Sequence, residues 1–289
     1  MSMDQDYAQS YLDRGSDRLG LHRYPVPADA TALVVVWPAM GVPARYYRPL
    51  AQALTAEGLA VVVADLRGTG TSTPAPSTAS RYGYSDLTDD IGAVLDHLRP
   101  EFEGRRIILL GHSLGGQACA LHLARTGGAG VDGLVLVAVG LPWFRSYPRP
   151  RRWGLLAFTQ WIRAWSAIRG VWPGTGFGGR QARGVMRDWA YTARHGRFPR
   201  FDGMDMAIAL AAVRTPILAI SVEHDQFTPP STLDHLCAMM PDAPLDRVHL
   251  STEDFGSDQR GQGGQRIDHF TWVKAPSPIA TRVAAMASL

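Results

Sequence analysis

The stretch RIILLGHSLGGQACALHLA, Arg106 to Ala124, decides the fold. Its first five residues, Arg106 to Leu110, form a short β-branched apolar run, too short for a buried helix and suited to a strand covered on both faces. Gly111-His112-Ser113-Leu114-Gly115-Gly116 follows at once, and then the apolar helical run QACALHLA. A serine in G-x-S-x-G, with a strand before it and a helix after it, sits on a tight, strained turn that pushes its hydroxyl into the open. The helix N-terminus behind Ser113 offers free N–H groups and a positive dipole end to a developing oxyanion. The turn therefore predicts a nucleophilic serine.

Similar runs recur on both sides of this unit. ALVVVW (Ala32 to Trp37), LAVVVADL (Leu59 to Leu66), GLVLVAV (Gly133 to Val139) and PILAISV (Pro216 to Val222) are each bounded by Gly, Pro or Asp. Between them lie segments with helical spacing: Ala44 to Glu57 groups Tyr47, Leu50, Ala51 and Leu54, and Ser85 to Arg99 groups Leu87, Ile91, Val94, Leu95 and Leu98, with Ser85 as the expected N-cap. Strand alternating with helix predicts an α/β fold, a doubly wound, mostly parallel sheet. Two earlier extended pieces, Ser10 to Arg14 and Arg18 to Tyr24, join through Gly15 and predict an antiparallel hairpin at one edge.

The alternation stops from Leu141 to Asp205, which holds no strand-like run but carries six of the eight tryptophans and twelve arginines. Trp153, Ala157, Trp161, Trp165 and Ile168 repeat at three and four, with Gln160, Arg163 and Ser166 turned the other way, so Trp153 to Arg169 reads as an amphipathic helix. A second helix is expected over Gln181 to His195. The domain reading is a core of residues 1–140 and 206–289 and a helical cap of residues 141–205 above the strands' carboxyl ends. The plainer expectation for Trp153, Trp161 and Trp165 is the core of that cap, with the arginines a solvated face. The alternatives are an acyl or aromatic pocket with arginines receiving a carboxylate, a phosphate or an acidic carrier protein, or interfacial membrane binding by the helix.

The 289 residues are 46% hydrophobic and 19% charged, which excludes a disordered chain, and two cysteines exclude a disulfide scaffold. Cys119 and Cys237 have no His or Cys at metal-ligand spacing and read as buried thiols. The N-terminus lacks the pattern of a signal peptide and no apolar run approaches the roughly 18 to 20 residues of a membrane span, so the expectation is a soluble, cytoplasmic protein with no transmembrane segment. The net charge of +3 divides into +9 over residues 141–205, from twelve Arg and three Asp, and −6 over the rest. That partition argues against an extended nucleic-acid site and for an anionic group on a small acyl substrate or its carrier. GSDQRGQGGQR, Gly256 to Arg266, reads as a mobile loop.

A serine nucleophile needs a base, and the base needs an acid to fix its tautomer. On this topology the chain order is Ser, then Asp or Glu, then His. Asp225, in SVEHDQFTPP, follows the Pro216 to Val222 strand at its carboxyl end; Glu223 is its rival but still belongs to the strand. His269, in IDHFTWV, lies after the last strand-like run (Arg247 to Leu250) and ahead of the final helix. His112 would point away from the nucleophile on a sharp turn, His249 looks structural, and Asp268 reads as solvated. Of the two oxyanion donors, one is the N–H of Leu114. The other is expected in Pro38-Ala39-Met40-Gly41, where the N–H of Met40 is the best placed.

With these residues assembled, the chain resembles the α/β-hydrolase superfamily over nearly its whole length. The matching pieces are PAMGVPARYYRPLAQAL, ADLRGTGTS, GHSLGG, HDQFTPP and DHFTW, with Pro38 and Ala39 where many members carry His-Gly. It is most similar to a branch of bacterial predicted hydrolases that share a Pro-Ala-Met-Gly-Val loop and a Gly-Tyr-Ser/Ala-Asp stretch like Gly83 to Asp86. The resemblance implies Ser113, Asp225 and His269 as triad and Met40 and Leu114 as oxyanion donors. The expected function is a serine hydrolase of ester-type bonds (carboxylic ester, thioester or lactone) working without metal or organic cofactor. An acyltransferase, a carbon–carbon bond-cleaving enzyme and a small-molecule receptor on the same constellation stand as alternatives.

Overall fold

The computed structural model describes residues 7–256 and 266–289. Among the described residues ten strands and eight α-helices follow one another: β1 (Ala8–Arg14), β2 (Asp17–Arg23), β3 (Ala32–Trp37), α1 (Arg48–Ala56), β4 (Ala60–Ala64), α2 (Tyr84–Leu98), β5 (Arg106–His112), α3 (Leu114–Thr126), β6 (Gly133–Val137), α4 (Arg149–Arg169), β7 (Val171–Trp172), β8 (Gln181–Ala182), α5 (Arg183–His195), α6 (Met206–Ala211), β9 (Ile217–Val222), α7 (Pro230–Cys237), β10 (Leu245–Leu250) and α8 (Ser277–Ala287). Eight strands form one sheet in the order β1-β2-β4-β3-β5-β6-β9-β10. β4, β3, β5, β6, β9 and β10 run parallel, and the β1–β2 hairpin is antiparallel at one edge, as its sequence predicts. This is an α/β-hydrolase fold.

The parallel strands read as continuous apolar runs because both faces are covered. Leu33, Val35, Trp37, Val62 and Leu109 point to the side packed by α2 and α3, whereas Val34, Val36, Val61, Val63, Ile108 and Leu110 point to the side packed by α1 and α8. Period-two alternation thus builds two cores on one sheet. Cys119 and Cys237 are buried free thiols. No described helix is long and apolar enough to cross a membrane.

Between β6 and α6 the chain leaves the sheet and returns, and within this insertion α4 packs on α5 and the two-residue strands β7 and β8 pair antiparallel. The short β7–β8 pair is an addition to the helical expectation. The insertion is tied down by backbone and carboxylate. Asp188 of α5, 2% exposed, accepts the Tyr84 N–H at 3.0 Å and so caps α2 from outside that helix. Ser85 is therefore not the N-cap: Gly83 holds that position, its N–H donating to the Asp86 carboxylate at 2.8 Å, and Ser85 instead accepts from Arg125 at 3.0 Å. A side chain at 83 would collide with Asp188, since its Cβ would lie 2.3 Å from Oδ2.

The larger correction concerns α4. The helix is where its periodicity puts it, but Trp153, Trp161 and Trp165 are 64%, 52% and 37% exposed and form no core of the insertion. Its buried residues are Thr159, Ile162 and Ser166. The Gly- and Gln-rich stretch read as a mobile loop falls, apart from its ends, on residues 257–265 and lies outside the described residues.

The turn after β5 depends on close backbone approach. A Cβ at Gly115 would lie 2.2 Å from the Trp37 carbonyl oxygen, whereas one at Gly154 in α4 would meet nothing within 4 Å. Gly115→Ala is expected to lower unfolding stability by about 2–3 kcal/mol or more, because a backbone carbonyl cannot step aside. Gly154→Ala should instead add about 0.5–1 kcal/mol through helix propensity. Urea unfolding of both variants checks the opposite signs.

Candidate active site

Ser113 stands between β5 and α3 with φ of 50° and ψ of −118°. A non-glycine residue in this region carries about 1–3 kcal/mol of backbone strain, held only because the surroundings over-determine it. Here they do: Gly111 and Gly115 let the two limbs of the turn close, a Cβ at 111 falling 2.2 Å from the Gly116 α-carbon. The Gly115 N–H donates to the Pro38 carbonyl at 3.1 Å, which binds the start of α3 to the loop after β3.

Asp225 lies in the loop after β9, its carboxylate held by four donors. The Phe227 and Thr228 N–H groups reach Oδ1 at 2.8 Å each, and the Thr228 hydroxyl reaches Oδ2 at 2.5 Å. The fourth donor is His269, whose Nδ1 is 2.7 Å from Oδ2. With that proton committed to Asp225, the lone pair of His269 is on Nε2. His269 is 4% exposed and Asp225 5%. Glu223 is excluded from the site: it points outward and accepts from the Thr252 N–H and hydroxyl, 2.9 Å each.

The loop that carries His269 is braced on both sides. Asp268 accepts the Phe270 and Thr271 N–H groups at 3.0 and 2.9 Å, so it closes the turn rather than standing free in solvent. Burial pushes its carboxyl up, but the hydrogen bonds from Thr271 and Phe270 overcome this and hold it below the usual range. On the other side His112 is fully buried, its ring 4.8 Å from that of His269 and 5.2 Å from Trp272.

His112 takes no place on the cavity wall. Tyr47 Oη accepts the Ala39 N–H at 2.8 Å and lies 2.7 Å from His112 Nδ1. Burial raises the Tyr47 hydroxyl far above its ordinary value, so it keeps its proton and is joined to Nδ1 by a neutral hydrogen bond. His112 is correspondingly neutral: burial, and then the neighbouring His269, push it well below 6.5. A buried polar chain thus runs from the loop after β3 to the floor under His269.

Ser113, Leu114, Ala39, Met40 and His269 all face one cavity of about 520 Å³. From the insertion Tyr147, Arg151, Leu155, Phe158, Phe177 and Trp189 complete its wall. The lining is mostly apolar, and among the described residues Arg151 is its one guanidinium. Gly41, with φ of 72°, abuts the insertion, where a Cβ would lie 2.3 Å from the Gly178 carbonyl oxygen. The structure therefore brings together every residue singled out for the site, with Asp225 behind His269 rather than on the wall.

Sequence reasoning missed three supporting residues. Thr228 bonds Asp225 and lies 3.4 Å from His269 Nδ1; it stands in HDQFTPP, three residues after the acid. The Tyr147 hydroxyl donates to the Phe227 carbonyl at 2.6 Å, fixing the acid loop from the insertion. Tyr47 was read only as a helix-face residue.

A strained serine on a strand-turn-helix unit, a bonded His–Asp pair on later loops and an eight-stranded sheet of this order define an α/β-hydrolase. The chain belongs to the family described as serine aminopeptidase, S33, whose model matches residues 28–251. A curated relative, the AB hydrolase superfamily protein YisY of Bacillus subtilis, is 35% identical over 95 residues, a match that spans a third of each chain. The thioesterase domain from the curacin biosynthetic pathway superimposes with a TM-score of 0.61 at 16% identity, covering 96% of this chain and 99% of that one. A hydrolase from Pseudomonas aeruginosa PA01 gives 0.61 at 19% identity, with 97% and 98% covered.

The buried histidines set a pH limit. Burial lowers His22, His112 and His122, the last to about 4. Below pH 6.5 the unfolded chain binds protons that the folded chain refuses, so stability is full above that pH and falls as pH drops toward 4, by up to about 1.4 kcal/mol per pH unit for each such histidine. Urea unfolding between pH 7 and 4.5 should show this slope, and His122→Gln should make it shallower.

Proposed function

We propose that the chain hydrolyses ester-type bonds through an acyl-enzyme on Ser113. The observation that carries this reading is the His269–Asp225 bond at 2.7 Å, with His269 and Ser113 on the same cavity wall. Ser113 Oγ attacks the substrate carbonyl carbon while His269 Nε2 takes its proton, and Asp225 keeps His269 in the required tautomer. The oxyanion sits against the N–H groups of Met40 and Leu114. On collapse the bond to the leaving oxygen or sulfur breaks and His269 returns the proton to it. Water then attacks the acyl-enzyme with the same base, releasing the acid and restoring Ser113.

The family description points toward amide cleavage at peptide N-termini, but the cavity favours esters, thioesters and lactones. A free α-amino group calls for a carboxylate partner in the pocket, and none of the described residues lining the cavity is acidic. Arg151 instead suits an anionic group on the substrate, whether a carboxylate, a phosphate or that of an acidic carrier, and the apolar wall suits an acyl chain. The insertion serves as the cap that selects it. Buried free thiols at Cys119 and Cys237 suit the reducing cytoplasm.

Ser113→Ala should lower turnover of a reactive aryl ester by on the order of 10⁴-fold with the circular dichroism spectrum unchanged, and fluorophosphonate should label the parent chain one to one and the variant not at all. Retained turnover in the variant would overturn the mechanism. Arg151→Gln should raise KM roughly tenfold for an aryl ester bearing a terminal carboxylate and leave its neutral counterpart unchanged. Equal effects on both substrates would remove the anion-binding role.

A further inference from the structure

Helix α4 presents to water the face that most helices bury. Its inward positions include Thr159 and Ser166, whose hydroxyls donate back to the Leu156 and Ile162 carbonyls at 2.9 and 2.7 Å. Its outward positions are Trp153, Trp161, Trp165 and Ile168, the last 82% exposed. At 1.5 Å per residue the stripe is about 22 Å long. A contiguous aromatic strip of this kind marks an interaction site rather than scattered surface hydrophobics.

Charge narrows the occupant. Arg149, Arg151, Arg152, Arg163 and Arg169 lie on α4, Arg151 of them on the cavity wall, and the helix contains no acidic residue. Among the described residues none of the five forms an ion pair, and the Arg169 guanidinium lies over the Trp165 ring at 5.0 Å. A second copy of the chain would set these arginines against their equals. The surface asks for a partner that is anionic and apolar at once, which an acidic protein meets only in part and an anionic bilayer meets in full: headgroup phosphates for arginine, the acyl boundary for tryptophan.

The strip is also continuous with the cavity. Ring contacts run from Trp165 to Trp161 (6.0 Å), Phe158 (6.4 Å), Phe177 (5.8 Å), Phe227 (6.4 Å) and His269 (5.1 Å). Phe158 and Phe227 are 40% and 48% exposed and also line the cavity, so outer strip and inner wall share side chains.

We propose that the outward face of α4 docks on an anionic lipid surface, the helix lying in the headgroup layer, and that an acyl chain passes from the lipid along Phe158 to Ser113. The docking stands by itself; the passage rests on the hydrolase reading. Co-sedimentation of the full chain with vesicles of phosphatidylcholine, with and without phosphatidylglycerol, tests it. Binding is expected to the mixed vesicles only and to decline with salt. Ile168→Asp and Trp165→Gln should each weaken it about tenfold while turnover of a water-soluble short-chain aryl ester is unchanged.

Absence of binding to the mixed vesicles at low salt overturns docking, as does binding indifferent to Ile168→Asp. A dimer in sedimentation velocity that Ile168→Asp dissolves would assign the face to a second copy. Binding of Ser113→Ala to vesicles is read separately from turnover. A parent chain that docks but hydrolyses no ester overturns the hydrolase reading alone; one that hydrolyses soluble esters and does not dock overturns docking alone.

Discussion

The active-site geometry hangs on one close approach, that of the first turn of α3 to the end of β3. Gly115 donates its N–H to the Pro38 carbonyl and leaves no space for a Cβ beside the Trp37 carbonyl. Because the two backbones touch there, the strained Ser113 and the Ala39–Met40 wall keep a fixed relation across adjacent parallel strands. Any side chain at 115 would drive them apart. The strain at Ser113 is tolerated only in a turn clamped this tightly, so the strained placement of the serine and the packing of two glycines are a single constraint.

Beneath that clamp lies a buried polar relay from Ala39 through Tyr47 to His112, with the His269 ring packed at a tilt against its end. Tyr47 and His112 are neutral, and the Ala39 N–H, the Tyr47 hydroxyl and His112 Nδ1 are joined by hydrogen bonds, which lowers the cost of burying them. Asp225 is satisfied differently, with four donors around two oxygens. The loop after β3 and the loop before α8 are therefore positioned by the same pair of rings, Tyr47 and His112.

The sheet, the hairpin and the positions of Ser113, Asp225 and His269 were legible because they depend on local pattern: apolar runs of strand length, a glycine-framed serine and loops at strand ends. Part of what escaped was set by contacts distant in sequence, and part by local turns that composition alone does not distinguish from free loop. Ser85 looked like an N-cap by composition, yet Asp188, about a hundred residues away, and Asp86 supply the capping oxygens. Tyr147 holds the acid loop through a bond to Phe227, far along the chain, whereas Thr228 holds it through a local turn on Asp225. Asp268 was read as solvated because an aspartate beside a histidine on a loop carries no local sign of the turn it closes.

Helix α4 shows the limit most plainly, because periodicity reports that a helix has two unlike faces and not which one meets the protein. Burial of Thr159 and Ser166 on either side of Ile162 lets α4 pack on α5, since small side chains reduce the separation of the two axes. Had the tryptophans been turned inward, their volume would have pushed α4 off α5 and enlarged the cavity. The outward orientation thus seats α4 on α5 through its small inward side chains and leaves an aromatic strip in water. A sequence selected only for a stable cap would place polar residues on that strip, and arginine with tryptophan is the combination that an anionic apolar boundary would reward.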